Sequence, residues 1–276
     1  MAKPKLRCRL CDGDELSLSY VQGNAGQFRY FRCAECGLVN LDLANGIDQT
    51  QCHEVFHDPT DDESGFDRML DASFAFIEKH VPGARSLCDI GCGNGRLLYL
   101  AQQAGWNAFG LELTEAFARK TAETLGVEVA AADFLDYDPP PPHAEAYDVV
   151  CLRHVLEHLP DSRLAMQKIS ALLKPGGHAL LEFPNVDGFD KRLKRFVASK
   201  GLYKSRYRDH FMPGHCNEFC RRSFEFLLAR TGFELVRWET YSKKPLSNFI
   251  YRRLHIGNKA RALIRKARVQ SPHDED

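Results

Sequence analysis

Two apolar rhythms alternate along the middle of the chain. Short, nearly continuous runs at 87–90, 106–112, 127–132, 147–152 and 178–183 predict buried strands. The stretches between them favour helix. Residues 66–80 put Met69, Leu70, Phe74 and Ile77 on one helical face, and Pro82 and Gly83 stop that pattern. A second helix over 97–104 ends at Gly105, and Thr114 caps a third over 115–125. A further helix is expected to start at 153–159. Later, Ser223 caps a helix over 224–229, Thr231 and Gly232 end it, and 233–241 reads as a sixth strand. Strand and helix taken in turn predict an α/β domain.

The two ends read differently. Residues 16–20 and 28–31 alternate as the strands of a small hairpin. The polar, Asp-rich stretch 46–64 reads as a linker or lid, and 184–219 shows no clear periodicity. Beyond Lys243, Ile250, Leu254, Ile256, Ala260, Leu263 and Ile264 are interleaved with Arg and Lys. They predict a basic amphipathic helix that follows or includes the last strand, with 271–276 disordered. The expected divisions are therefore a module over 1–45, the 46–64 linker, a main domain over 65–242 and a basic end over 243–276.

Length and composition narrow this picture. A chain of 276 residues can bury one full core and carry a small appended module. Its 44% apolar and 27% charged residues are those of a globular protein. No apolar run reaches the ~18 residues of a membrane span, and no apolar segment follows the charges of the first residues. The expected location is the cytoplasm, where the ten cysteines stay reduced. Formal charge is zero, which gives no global case for nucleic acid. Basic residues do crowd 191–208 and 243–268, and a basic amphipathic end would suit an anionic membrane surface.

Four of those cysteines form a pattern. Cys8 and Cys11, then Cys33 and Cys36, are two C-x-x-C pairs separated by 21 residues. A two-residue gap lets both sulfurs of one turn reach one ion, and two such turns complete a tetrahedral zinc site. A segment of about 40 residues has too little core to fold unaided, so zinc would supply the missing stability. The spacing predicts a structural zinc ribbon. Cys52, His53 and His57 follow, but their spacing matches no closed site.

The most informative stretch is 85–98, RSLCDIGCGNGRLL. A strand ends in Gly91, Gly93 and Gly95, with Asp89 two residues ahead of the first glycine and Cys92 inside the turn. Such a corner lets backbone approach a nucleoside closely. The G-x-G-x-G spacing departs from the G-x-G-x-x-G of dinucleotide sites. It resembles motif I of the class I S-adenosylmethionine-dependent methyltransferases. Glu112 ends the next strand, where a carboxylate can accept from both ribose hydroxyls. Asp133 and Phe134 match the family pair that reads adenine, and Lys174-Pro175-Gly176-Gly177 matches its turn before strand five. The resemblance is to the ubiquinone-biosynthesis-like, type 23-like branch, in which strand four runs into a V-L-E-H segment. It implies a Rossmann-like, seven-stranded, mostly parallel sheet with S-adenosylmethionine held by Asp89, Gly91, Cys92, Gly93, Gly95, Glu112, Leu113, Asp133, Phe134 and Leu152.

The same resemblance places the chemistry. In ubiquinone-type O-methyltransferases an E-x-x-E-H segment places ligands on a divalent metal, and here His154 replaces the first Glu, ahead of Glu157 and His158. On a helix, 154, 157 and 158 would share a face. His154 or His158 is thus a general-base candidate, with a divalent metal near His154, Glu157 and His158 as an option. His215 matches the histidine that relatives carry in a P-x-H-x-x-x-F run, and 184–219 matches an acceptor-binding cap. The expected activity is methylation of a small-molecule, sugar or lipid-linked acceptor, at oxygen or at a sugar carbon. Two alternatives stand beside it: an RNA methyltransferase gripping phosphates with its ribbon and basic stretches, and a cofactor-binding adaptor without turnover.

Overall fold

The computed structural model describes residues 6–48, 56–60, 67–203, 205–242 and 245–267. Cys52, His53 and the expected disordered end lie outside them. The small end of the chain forms β1 (Leu16–Gln22), β2 (Phe28–Cys33) and β3 (Val39–Leu41). The main domain follows as α1 (Asp67–His80), β4 (Ser86–Ile90), α2 (Arg96–Gln103), β5 (Asn107–Glu112), α3 (Glu115–Leu125) and β6 (Glu128–Ala131). Then come β7 (Tyr147–Arg153), α4 (Ser162–Leu172), β8 (Leu173–Pro184), α5 (Phe189–Ser199) and β9 (Asn217–Glu218). The chain closes with α6 (Arg221–Leu228), β10 (Phe233–Tyr241), α7 (Pro245–Leu254) and β11 (Lys259–Lys266).

Seven strands form the central sheet in the order β10-β11-β8-β7-β4-β5-β6. β4 is parallel to β5 on one side and to β7 on the other, so strand order reverses at β4. The crevice beyond the carboxyl end of such a switch point is where open α/β sheets hold ligands. All five residues of β4 are buried, as expected for a strand covered on both faces. α1, α2 and the end of α3 cover one face through Phe74, Ile77, Leu97, Leu98 and Leu125. α4 and α6 cover the other through Met166, Ile169, Phe224 and Leu227.

The second sheet joins the N-terminal module to the main domain. Its order is β1-β2-β3-β9, so a strand from the main domain completes the ribbon hairpin. Leu10 and Leu38 of the ribbon lie in the same core cluster as Leu156 and Phe224. The small module is welded to the large one.

Three expectations about elements need correction. Residues 154–159 form a turn and not a helix: β7 runs to Arg153, His154 takes a positive φ of 58°, and α4 waits for Asp161. The Asp161 carboxylate accepts the Arg163 and Leu164 N–H groups, which places the helix start there. α6 begins after Cys220, two residues before the expected cap, and Ser223 Oγ instead reaches back to accept the Cys220 N–H. The basic end is no single amphipathic helix. Gly257 and Asn258 separate α7 from β11, which inserts antiparallel between β8 and β10. Residues 260–264 of β11 are buried because that strand is interior, and a strand packed on both faces shows no alternation to read.

Candidate functional site

The glycine turn follows from its backbone angles. Gly91, Gly93 and Gly95 hold φ of 69°, 54° and 84°, which L side chains rarely adopt. At Gly91 a Cβ would also lie 2.6 Å from Val155 Cγ2, so the turn after β7 packs directly on the turn after β4. Glu112, 1% exposed at the tip of β5, accepts the Gly93 N–H at 2.9 Å and the Thr114 N–H at 3.0 Å. Thr121 Oγ1 on α3 donates to the Gly93 carbonyl at 2.8 Å. Asp89 is buried beneath the turn. Burial pushes its carboxyl up to about 7, with Glu112 and Glu182 adding to the rise and Arg153 opposing it.

Most of the expected cofactor residues thus meet at one place, the carboxyl ends of β4 and β5. Cys92 is buried inside the turn, and Leu113 is exposed beside Glu112. Asp133, past the end of β6, is exposed and accepts the Leu135 N–H at 2.9 Å, while Phe134 is buried. Leu152 is fully buried and pairs in the sheet with Ile90, the last residue of β4. Residues 56–60 cross the turn. Asn94 Nδ2 donates to the His57 carbonyl at 3.2 Å, and Arg96 donates to the Pro59 carbonyl at 2.8 Å while pairing with Asp71. The remainder of the expected linker or lid, 49–55 and 61–64, lies outside the described residues.

The turn after β7 carries the expected base candidates His154 and His158. Lys259 Nζ donates to His154 Nε2 at 2.8 Å, so His154 carries its hydrogen on Nδ1 and directs it to Glu157 Oε1 at 3.2 Å. Both ring nitrogens are therefore engaged. Glu157 Oε1 also lies 4.0 Å from His215 Nε2, and His215 Nδ1 lies 3.9 Å from Glu218 on β9. His158 Nδ1 donates to the Gly214 carbonyl at 2.9 Å, which leaves Nε2 as its basic nitrogen. Its ring meets that of His215 edge to face at 4.8 Å. Burial would raise Glu157, but the His154 hydrogen bond and the three imidazoles hold it below its usual range. Burial pushes His158 down, against Glu157, so it is neutral near pH 7.

These contacts change the expected metal set. Among the described residues, Glu157, His158 and His215 offer one ligand atom each, all within 4.8 Å of one another, and His154 is not among them. Glu157 Oε2 is buried without a hydrogen-bond partner, the condition a cation would relieve. Two imidazoles and one carboxylate suit a transition ion better than magnesium. Sequence spacing could not find this set, because it reaches across more than fifty residues to His215.

A buried ion-pair network supports the turn from below. Glu182 on β8, 0% exposed, accepts from Arg153 at 2.8 Å and from Arg261 of β11. The two guanidinium groups overcome the cost of burial and hold its carboxyl at about 2. Ser73 of α1 also donates to Glu182 at 3.0 Å. Glu182 and Arg261 did not emerge as site-supporting residues in the sequence, although a charge inside each of two apolar runs was a visible anomaly.

The four-cysteine site assembles as its spacing requires. Cys8, Cys11, Cys33 and Cys36 place their sulfurs within 4.8 Å of one another, with Cys8–Cys36 and Cys11–Cys33 both at 3.5 Å. Zn–S bonds of 2.3 Å in a tetrahedron put sulfurs about 3.8 Å apart. The residues present fit zinc. The hydrogen bond from Cys36 lowers the Cys8 thiol, whereas burial raises Cys11.

Sheet order, glycine corner and acid-tipped strands define a class I S-adenosylmethionine-dependent methyltransferase fold. Comparison with known proteins agrees: residues 62–237 match the methyltransferase-domain family Methyltransf_23, and the chain belongs to it. It is 36% identical over 123 residues to a ubiquinone biosynthesis O-methyltransferase of Cronobacter sakazakii, covering 43% of this chain and 51% of that one. A namesake from Actinobacillus pleuropneumoniae serotype 7 is 30% identical over 149 residues, covering 48% and 63%. The chain thus spans about half to two thirds of the length of these relatives. Among solved structures it resembles 1,6-didemethyltoxoflavin-N1-methyltransferase of Burkholderia thailandensis, with bound S-adenosylhomocysteine, at TM-score 0.52 and 19% identity over 72% of this chain and 78% of that one. It also resembles magnesium protoporphyrin IX methyltransferase of Synechocystis at TM-score 0.52 and 16% identity, over 74% and 84%. At those identities the likeness is one of fold.

Proposed function

We propose that this protein transfers the methyl group of S-adenosylmethionine to an oxygen of a small-molecule acceptor. One observation supports the reading: Val155 packs against Gly91, so the turn that carries Glu157 and His158, and with them His215, lies beside the glycine turn. A base or metal is thereby held where a methyl donor lying on that turn meets its acceptor. The cofactor supplies an activated methyl group, and this chain's residues bind it, align the acceptor and take the hydroxyl proton. Asp89, Gly93 and Glu112 hold the cofactor. His215 is the preferred base, oriented by Glu157 and Glu218, and His158, neutral and fixed at Nδ1, is the second. His154 is a poorer base because its lone pair already accepts from Lys259. A divalent ion on Glu157, His158 and His215 would act instead of a histidine base, since their lone pairs would be bound to it, by acidifying the acceptor hydroxyl directly; the ribbon zinc would be structural. The acceptor passes α5, whose Phe189, Leu193 and Phe196 are exposed at i, i+4 and i+7, a face that suits an aromatic or lipid-linked compound.

Labelled methyl transfer into small-molecule extracts tests the reading. His215→Ala should lower turnover on the order of a hundredfold or more, the usual contribution of a positioned base, with S-adenosylhomocysteine affinity unchanged. Undiminished turnover in both His215→Ala and His158→Ala would remove the proposed base. A pH series tests the cofactor end. Asp89 has a folded pKa raised to about 7 from an ordinary 3.8, so folding keeps it protonated and loses stability as pH climbs between those values. A ligand that brings an ammonium group beside it favours the ionised form. Calorimetric affinity for S-adenosylhomocysteine should therefore rise from pH 6 to 8, and Asp89→Asn should flatten the rise.

A further inference from the structure

One side chain joins the first cysteine knuckle to the strand that follows His215. Arg9 sits between the candidate ligands Cys8 and Cys11. Its backbone N–H donates to Asn40 Oδ1 at 3.0 Å, and Asn40 Nδ2 donates to Cys8 Sγ at 3.6 Å. The guanidinium then leaves the knuckle. Nε donates to Asn217 Oδ1 at 3.0 Å, one terminal nitrogen to the Leu41 carbonyl at 2.9 Å, and the other to the Cys216 carbonyl. Asn217 and Cys216 in turn grip the catalytic turn. Both of their N–H groups donate to the Glu157 carbonyl, at 3.1 and 3.0 Å, and Asn217 Nδ2 donates to the Leu159 carbonyl at 2.7 Å. A continuous path of hydrogen bonds therefore runs from the metal knuckle to the backbone of the Glu157–His158 turn.

We propose that Arg9 is a positioning residue through which the loaded cysteine site holds the 215–218 strand, and with it His215, against Glu157 and His158. The β3–β9 pairing alone is short, matching only Val39 with Glu218 and Asn40 with Asn217. Two residue pairs are a weak ladder. The planar guanidinium adds three charge-assisted donors that reach β3 and the β9 strand together, and lysine cannot reproduce that fork. An ion shared by Cys8 and Cys11 would hold the backbone of Arg9 from both sides, beyond what its bond to Asn40 supplies. Metal occupancy at one end thereby sets geometry at the other.

The consequence for methyl transfer rests on the proposed function, whereas the test does not. Hydrogen exchange on the full-length, zinc-loaded protein would be followed in three regions: the two knuckles, residues 213–220, and β4. In Arg9→Met the knuckles and β4 should keep their protection and the zinc content should not change. The Cys216 and Asn217 amides should exchange roughly ten- to hundredfold faster, the loss expected for bonds to a charged donor. Stripping zinc from the unaltered protein with a chelator should speed the same amides. Unchanged protection of 213–220 in zinc-loaded Arg9→Met, or after chelation, overturns the proposal. Should Arg9→Met fail to fold, Arg9→Lys carries the same readings. Separately, absence of S-adenosylhomocysteine binding in the unaltered protein would sink the methyltransferase reading and leave the exchange result standing.

Discussion

The two sides of the candidate site are built in opposite ways. The cofactor side is local: Asp89, Gly91, Gly93 and Gly95 lie within seven residues, and Glu112 closes the turn by accepting the Gly93 N–H. The acceptor side is assembled from afar. Arg9, Glu157, His215 and Lys259 come from the ribbon, the turn after β7, the segment leading into β9 and the last strand. A local site depends on backbone angles that glycine permits, while a distributed one depends on every element that carries a piece of it. The acceptor side should therefore fail when distant structure is disturbed, and the cofactor side should not.

The largest break should come from the ribbon. Cys36→Ser removes one of the four candidate ligands, and structural zinc is worth about 10–16 kcal/mol in small zinc-dependent domains, as much as a whole fold. The variant should lose its zinc by elemental analysis. It should also lose protection across β1–β3, and across β9, which pairs with them. Cys88→Ala, which removes a buried thiol that ligates nothing, serves as the control and should retain both. A Cys36→Ser protein that keeps β9 protected would show that the ribbon is an appendage after all.

Glu182→Gln comes next, since it strikes beneath both sides. The change leaves Arg153 and Arg261 buried around a neutral amide, and breaking such a pair costs about 3–5 kcal/mol. Urea unfolding should register that loss near pH 7. The folded pKa of Glu182 is depressed to about 2 from an ordinary 4.5, so its stabilisation is complete above 4.5 and drains away as pH falls toward 2. The gap between parent and variant should thus narrow across that window. A gap independent of pH would mean that shape, and not charge, holds the network.

How legible each region was follows from the same contrast. The glycine turn could be read because its constraint falls on neighbouring residues: positive φ at alternate positions asks for glycine there. The cysteine pairs were legible for a similar reason, as each knuckle closes within four residues. The V-L-E-H stretch misleads, because its helical spacing predicts a helix where the chain forms a turn. Pro160 and Asp161 mark a cap there and place the helix start later. The family resemblance makes His154 a general-base candidate, with a metal near it as an option. In the folded turn, however, Lys259 and Glu157 occupy its nitrogens, and His215 takes the third place. Nothing in the spacing of Arg9, Asn217 or Lys259 points to the site, since their roles exist only once β9 and β11 have found their partners.

Thr121→Val offers the smallest and most discriminating test. The Thr121 hydroxyl is wholly buried and donates to Gly93 O at 2.8 Å, holding the glycine turn from α3. Valine keeps the shape and removes the donor, at a cost of about 1 kcal/mol for the hydrogen bond. In a protein of this size that lowers Tm by roughly 2–4 °C. If the cofactor side is truly local, S-adenosylhomocysteine affinity should fall by up to about fivefold while exchange at 213–220 stays as it was. Faster exchange in that segment would tie the two sides into one cooperative unit. The contrast between a local cofactor corner and a distributed acceptor wall would then give way.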